Sequence, residues 1–148
     1  MATSTGAFSD GYTNNEVSNL ESVEVKVTNF LDPDGEELLK RYRQEIIANY
    51  PAAASGAPSA DDVPVFLILK MKGVPVACAG LRLLEEATHI AEIKRMYVAP
   101  ECRGRGKGVA DELMRQLEVE AGRGGWSVLR LTTGVEMPQA RRFYERYV

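Results

Sequence analysis

The chain has 148 residues, enough for one domain with a single core and too few for two. Its apolar fraction of 45% and charged fraction of 26% are typical of a soluble globular protein, and a net charge of −3 argues against a general nucleic-acid binder. No apolar run approaches the roughly 20 residues of a membrane helix, and residues 1–19 lack the basic and apolar regions of a secretory signal. We therefore expect a cytoplasmic protein without nucleic-acid or membrane partners.

The first part of the chain predicts a tail, a strand, a helix and a loop. Residues 1–21 are rich in Ser, Thr, Asn and Gly, which predicts a disordered tail before a single domain over 22–148. Val23, Val25 and Val27 alternate with charged residues, as in a half-buried strand. Asp32-Pro33-Asp34 then begins a helix that ends near Pro51, with one apolar stripe formed by Leu38, Leu39, Tyr42, Ile46 and Tyr50.

The middle of the chain predicts three consecutive strands after a flexible loop over 51–62. Val63–Met71 and Val74–Leu83 are apolar runs joined at Lys72-Gly73, a pattern typical of a hairpin. A polar connection leads to a further strand over His89–Val98. Three strands in succession predict an antiparallel meander.

The last part of the chain alternates helix and strand. Apolar residues after Gly108 predict a helix that ends in the glycine-rich run 122–125, and residues 126–132 predict a strand. The order strand, helix, strand favours a parallel pairing with a right-handed crossover. Met137 to Tyr147 predicts a short final helix. The fold class is therefore mixed α/β, with antiparallel strands leading into a parallel pair.

The stretch CRGRGKGVADEL, residues 102–113, places three glycines alternately with three cations just before a helix. Amides at a helix start have no partner within the helix, and the helix dipole is positive there, so a phosphate group suits this position. The spacing does not match a P-loop, since no Ser or Thr follows Gly108, nor a G-x-G-x-x-G dinucleotide fingerprint. A basic RNA-binding segment and an ordinary polar turn remain the alternatives.

Metal and thiol chemistry have little support in the sequence. Cys78 and Cys102 form no ligand-like cluster, and His89 is the single histidine, so we expect reduced cysteines and no metal site. His89 is out of phase with Glu92 on an alternating strand, which predicts a structural or surface role for it.

Two tracts together resemble the GNAT N-acetyltransferase superfamily. Residues 91–118, AEIKRMYVAPECRGRGKGVADELMRQLE, resemble its acyl-CoA-binding core, with Arg103, Gly106 and Gly108 at the positions of the family pattern. Residues 133–147, TGVEMPQARRFYERY, resemble a later helix of the family. The resemblance implies an acyl-CoA N-acyltransferase fold in which the strand before the loop splays from its parallel neighbour.

The same resemblance implies the site. Backbone groups of Met96, Tyr97 and Val98 would pair with the pantetheine arm of acetyl-CoA, and the pyrophosphate would bind the loop residues Arg103, Gly104, Arg105, Gly106, Lys107, Gly108 and Val109. Glu92 matches a general-base glutamate, with an exposed strand carboxylate as the alternative. Tyr144 matches the tyrosine near the coenzyme sulfur, the candidate general acid, with a core aromatic as the alternative.

The sequence departs from the family at two places. Met137 stands where many members carry Asn, and the sequence ends at Val148, where members usually continue into two further strands. Without that hairpin we expect the strand containing Leu129 and Leu131 to have an uncovered edge, which is open to pairing with another chain. Three alternatives stay open: a truncated form, a partner subunit that supplies the missing strands, as in a homodimer through this edge, and impaired acceptor chemistry.

Two functions follow from the resemblance. The first is transfer of an acetyl group from acetyl-CoA to a primary amine of a small molecule or to an amino group. The second is an acyl-CoA-binding module or regulator without turnover. RNA binding through the basic loop is a weaker third hypothesis, which the acidic balance of the chain opposes.

Overall fold

A computed structural model of the protein describes residues 2–7, 23–49, 63–83, 89–104 and 106–133. The described residues form a mixed sheet with a helix on each face. The elements are β1 (Ala2–Ala7), β2 (Val23–Thr28), α1 (Pro33–Asn49), β3 (Val65–Met71), β4 (Val74–Leu83), β5 (Ile90–Val98), a 3₁₀ turn (Pro100–Cys102), α2 (Val109–Arg123) and β6 (Val128–Thr133). The predicted strands, hairpin and first two helices are confirmed. The predicted loop over 51–62 and the final helix over 137–147 lie outside the described residues.

The sheet has six strands in the order β1-β6-β5-β4-β3-β2. Neighbouring strands are antiparallel except β5 and β6, which are parallel, as the sequence predicts. The helix α2 connects this parallel pair. The predicted fold class, antiparallel strands leading into a parallel pair, is therefore confirmed.

Alternate residues of β3 face the two helices, which explains why its sequence VFLIL is apolar throughout. Phe66 and Ile68 pack with Leu38 of α1, whereas Leu67 and Leu69 pack with α2. All four of these β3 side chains are fully buried. A strand covered on both faces needs apolar residues at every position, and it therefore forms the centre of both cores.

The helix α1 begins where the sequence predicts, at Asp32. The Asp32 carboxylate accepts hydrogen bonds from the Asp34 amide and from the Thr28 hydroxyl, both at 2.9 Å, and it lies 2.7 Å from the Lys26 ammonium. The Lys26 and Asp34 contacts lower the pKa of the Asp32 carboxyl to about 2. The side chain thus caps the helix and joins it to β2.

The first residues of the chain form a strand, so the prediction of a disordered tail over 1–21 is wrong for residues 2–7. The strand β1 pairs antiparallel with β6, from Ala2 opposite Thr133 to Ala7 opposite Val128. The expectation that the strand of Leu129 and Leu131 has an uncovered edge is also wrong, because β1 lies on that edge. A short polar segment gains order here since a sheet edge offers unpaired backbone groups to any neighbouring strand.

Candidate functional site

The parallel strands β5 and β6 separate at their carboxyl ends. Their pairing runs from Ile90 opposite Val128 to Ile93 opposite Leu131. β5 then continues to Val98, while β6 continues to Thr133 against β1. The predicted splayed pair is therefore present. The backbone of Met96, Tyr97 and Val98, which the resemblance assigns to the pantetheine arm, lies in the part of β5 beyond its pairing with β6. The Val98 carbonyl already accepts a hydrogen bond from Nε of Arg103 at 2.8 Å.

A β-bulge lies in this part of β5, beyond its pairing with β6. It reverses which face of the sheet the following side chains occupy. Gly80 of β4 lies opposite Lys94 and Cys78 opposite Tyr97, so Arg95 and Met96 together face a single β4 residue. Arg95 adopts a positive φ of 55°, which is uncommon outside glycine. Bulges re-aim side chains and occur often beside active sites.

The consequence of the bulge is visible in the packing. Before it, the odd-numbered Ala91 and Ile93 pack with α2; after it, Val98 packs with α2 and the odd-numbered Tyr97 packs with α1. A strictly alternating strand would have placed Tyr97 on the α2 face. The bulge therefore turns the Tyr97 ring toward α1 and the start of the glycine loop.

The glycine loop occupies the short connection between the 3₁₀ turn and α2. Gly106 has a φ of 89° and Gly108, at the start of α2, has a φ of 72°. Residues other than glycine rarely adopt this left-handed backbone conformation. The alternating glycines therefore allow a backbone conformation that other residues would resist.

The amides of this loop differ in whether they are already bonded. The Arg103 amide donates to the Pro100 carbonyl at 3.2 Å and the Lys107 amide donates to the Gly104 carbonyl at 3.3 Å. Within the described part of the loop, a backbone acceptor is lacking for the amides of Gly104, Gly106, Gly108 and Val109. N–H groups in a glycine loop and at a helix start are suited to bind phosphate. Arg105 lies outside the described residues.

Two cationic side chains assigned to phosphate are engaged by the protein itself. The Arg103 guanidinium contacts Glu45 of α1 through two hydrogen bonds of 2.7 Å and donates from Nε to the Val98 carbonyl at 2.8 Å. The Lys107 ammonium donates to the Glu101 carbonyl at 2.6 Å. Backbone amides, rather than these two side chains, are therefore the groups left to meet a phosphate.

Glu92, the candidate general base, lies on the face of the sheet opposite α2. Its neighbours Ala91 and Ile93 pack on the α2 side, and its own side chain is only 11% exposed. The Lys94 ammonium lies 2.7 Å from its Oε1, and Arg82 and Arg130 are its partners in register on the adjacent strands. The alternative of an exposed carboxylate is wrong, but the carboxylate is paired. Tyr144, the candidate general acid, lies outside the described residues.

The remaining titratable candidates agree with a structural role. Cys78 is fully buried, and burial raises the pKa of its thiol to about 12, so it is not a nucleophile. Cys78 and Cys102 are free cysteines, as expected. His89 is exposed at a turn, where its carbonyl accepts hydrogen bonds from the Ser127 and Val128 amides.

The described residues contain neither a metal-binding cluster nor a helix able to cross a membrane. No group of three or more His, Cys, Asp or Glu side chains in them could hold a metal ion. The helices of the described chain are too short or too polar to cross a membrane.

The helix α1 contributes site residues that the sequence analysis missed. Arg41 and Glu45 lie one helical turn apart and contact Glu101 and Arg103 on the connection between β5 and α2. Their i, i+4 spacing is the only local signal, and it is typical of any solvated helix face. The contacts span about 60 residues of sequence, which no local pattern can reveal.

A splayed parallel pair, a bulged strand and a glycine loop at a helix start together define the fold of acyl-CoA N-acyltransferases. The family model for the acetyltransferase (GNAT) family matches residues 25–148. The chain therefore belongs to the GNAT acetyltransferase family, as its sequence motifs indicated.

Particular relatives support the same assignment. An IAA acetyltransferase of Azospirillum brasilense is 37% identical over 70 residues; the match spans 47% of this chain and less than half, 44%, of that protein. A ribosomal-protein-alanine N-acetyltransferase of Brucella melitensis is similar in structure, with a TM-score of 0.63 and 24% identity over 85% of this chain and 90% of that one. A GNAT family acetyltransferase of Elizabethkingia anophelis, solved with acetyl-CoA bound, has a TM-score of 0.63 and 16% identity over 86% and 75% of the two chains.

Proposed function

We propose that the protein transfers an acetyl group from acetyl-CoA to a primary amine of a small molecule or to an amino group. The observation that carries this proposal is the row of amides at Gly104, Gly106, Gly108 and Val109, for which no described residue supplies a backbone acceptor. These amides follow the end of β5 that extends beyond its pairing with β6. Phosphates suit the first feature and an amide-rich arm suits the second, and coenzyme A contains both. Family membership and the acetyl-CoA bound to the Elizabethkingia relative support the same donor.

The chemistry asks little of the protein beyond placement and proton transfer. The amine nitrogen attacks the thioester carbonyl carbon, a C–N bond forms, the C–S bond breaks, and coenzyme A leaves as the thiolate. The proton lost from the amine would pass to Glu92 directly or through a water, and the thiolate would take its proton from Tyr144. Both roles rest on the resemblance of these residues to the family pattern. A carboxylate paired with Lys94 would have to exchange that partner to act as a base.

The first experiment is calorimetric titration of the purified protein with acetyl-CoA, with ATP and NADH as controls. Selective binding of acetyl-CoA supports the proposed donor. An amine panel with a thiol-release assay then tests transfer, and we expect Glu92→Gln to lower turnover at least tenfold without loss of acetyl-CoA binding. Absence of acetyl-CoA binding by the wild-type chain would refute the proposal.

A second candidate function is acyl-CoA binding without turnover. The observation that favours it is the 2.7 Å pairing of Glu92 with Lys94, which leaves the candidate base engaged in the free protein. Acetyl-CoA binding with no thiol release across the amine panel would support this function. Thiol release that Glu92→Gln abolishes would exclude it.

Partners and location stay predictions. A homodimer through the β6 edge now requires that a second copy pair with β1 or replace it, because β1 already lies there. Cytoplasmic location and the absence of nucleic-acid partners rest on the composition and charge of the chain. Size-exclusion chromatography with light scattering tests the dimer.

A further inference from the structure

Four charged side chains fasten α1 to the connection between β5 and α2. Arg41 of α1 binds Glu101 with contacts of 2.9 and 3.3 Å, and Glu45 of α1 binds Arg103 with two contacts of 2.7 Å. We call these four residues the charge clamp. The helix α1 supplies the cation of one pair and the anion of the other, so its two clamp residues together have no net charge. The two clamp residues on the connection, Glu101 and Arg103, also have no net charge together.

Within the clamp, the Glu45–Arg103 pair makes further contacts with β5. The Arg103 guanidinium also donates to the Val98 carbonyl and lies over the Tyr97 ring, 5.2 Å from its centroid. The Arg103 guanidinium, and to a smaller extent the nearby Tyr97 hydroxyl, lower the pKa of the Glu45 carboxyl. One carboxylate of α1 therefore holds the end of β5 and the first residue of the glycine loop together.

Apart from the contacts of Lys107 with the Gly104 and Glu101 carbonyls, the described part of the loop has little to hold its shape. A Cβ added at Gly104 or at Gly106 would meet no atom of the described residues within 4 Å, so these residues do not pack against either position. Glycines with positive φ also have the largest conformational freedom to lose when a ligand orders them. A loop of this kind binds tightly only if its two ends are fixed in advance. The helix α2 fixes one end, and Arg103 is the other.

We propose that Glu45 is a positioning residue for the coenzyme. By holding Arg103 it keeps the loop amides that lack a backbone acceptor among the described residues arranged for a pyrophosphate, although Glu45 itself touches no part of acetyl-CoA. The inference rests on the proposed function, since it assumes that this loop binds acetyl-CoA. It also gives α1 a direct mechanical connection to the donor site.

The competing account is an ordinary surface ion pair. Side chains of Glu45 and Arg103 are 30% and 41% exposed, and pairs at such exposure contribute little to stability. The two accounts differ in what Glu45→Gln changes. If the contact is an ordinary ion pair, Glu45→Gln changes the melting temperature slightly and leaves the affinity for acetyl-CoA unchanged. If Glu45 is a positioning residue, Glu45→Gln weakens the binding of acetyl-CoA.

The test measures binding of acetyl-CoA by calorimetry and thermal unfolding for the wild type, Glu45→Gln and Lys70→Gln. Lys70 is the matched control, because its ammonium pairs with Asp34 of α1 at 2.6 Å and joins the same helix to β3 at the end away from the loop. We expect about fivefold weaker binding for Glu45→Gln, in keeping with a half-exposed ion pair, and unchanged binding for Lys70→Gln. If a transfer assay is established, KM for acetyl-CoA should rise by the same factor with kcat unchanged.

Three further variants distinguish a lost Glu45–Arg103 contact from other effects on binding. Arg103→Gln should weaken binding as much as Glu45→Gln does, and the double variant should be no weaker than either single one, because all three lose the same contact. Glu45→Asp keeps the charge and should recover part of the affinity. Binding by Glu45→Gln within twofold of the wild type, or an equal loss in Lys70→Gln, would overturn the inference. Failure of the wild type to bind acetyl-CoA would instead refute the proposed function, and the inference with it.

Discussion

Gly106 offers the sharpest test of the loop, because the chain contains a matched glycine far from it. Gly106 has a φ of 89° and Gly125, beyond the carboxyl end of α2, has a φ of 82°. A Cβ at either position would meet no atom of the described part of the chain within 4 Å. Replacement by alanine therefore imposes the same kind of backbone strain at both sites and no steric clash at either one.

The expected loss in free energy of unfolding follows from that backbone strain. Holding a residue other than glycine in the left-handed region costs roughly 1–2 kcal/mol, so Gly106→Ala and Gly125→Ala should lose similar free energies of unfolding. In Gly106→Ala alone, the substitution strains the loop whose amides would donate hydrogen bonds to phosphate oxygens. Loss of one such charged hydrogen bond costs about 1.5–3 kcal/mol, which corresponds to at least a tenfold weaker Kd for acetyl-CoA.

Two assays separate the effect of each substitution on stability from its effect on acetyl-CoA binding. Urea denaturation measures the free energy of unfolding of each variant, and calorimetry measures the Kd for acetyl-CoA. We expect matched losses in the first assay and a loss confined to Gly106→Ala in the second. If both variants bound acetyl-CoA within twofold of the wild type, the loop amides would not be the phosphate site.

Four structural predictions can be checked with purified variants. Gly35→Ala places a Cβ 2.7 Å from Cε1 of Phe66, so α1 must shift from β3, and we expect about 1–3 kcal/mol of lost stability in urea denaturation. Leu113→Ala removes a fully buried α2 side chain and should cost about 2–5 kcal/mol, whereas Val119→Ala, 36% exposed on the same helix, should cost less than about 1 kcal/mol; equal losses would contradict the assigned core. Asp32→Asn should lower the melting temperature at pH 7. Because the folded pKa of Asp32 is lowered from 3.8 to about 2, the difference from the wild type should shrink as pH falls through that interval, and a constant difference would contradict the ion-paired cap. Deletion of residues 2–7 uncovers the edge of β6 and should give larger species by light scattering, while an unchanged mass would show that β1 does not protect this edge.

Local signals in the sequence were sufficient for most elements. The turn at Lys72-Gly73, the helix start at Asp32 and the glycines that end α2 each act within a few residues, so the pattern of the chain predicts them directly. The glycine loop was also recognisable as a candidate phosphate site, because its glycines alternate with cations just before a helix. The resemblance to the family followed from this tract together with residues 133–147.

Tertiary structure decided three features that no local pattern contains. The pairing of β1 with β6 joins residues at opposite ends of the described chain, and its polar sequence has no strand signal of its own. The bulge at Arg95 and Met96 depends on the register of β4, so the sequence of β5 alone predicts simple alternation. The charge clamp brings α1 to the loop across about 60 residues, and its ionic side chains look the same in sequence as any solvated pair. In each case the deciding contact forms between segments distant along the chain, where only folding brings them together.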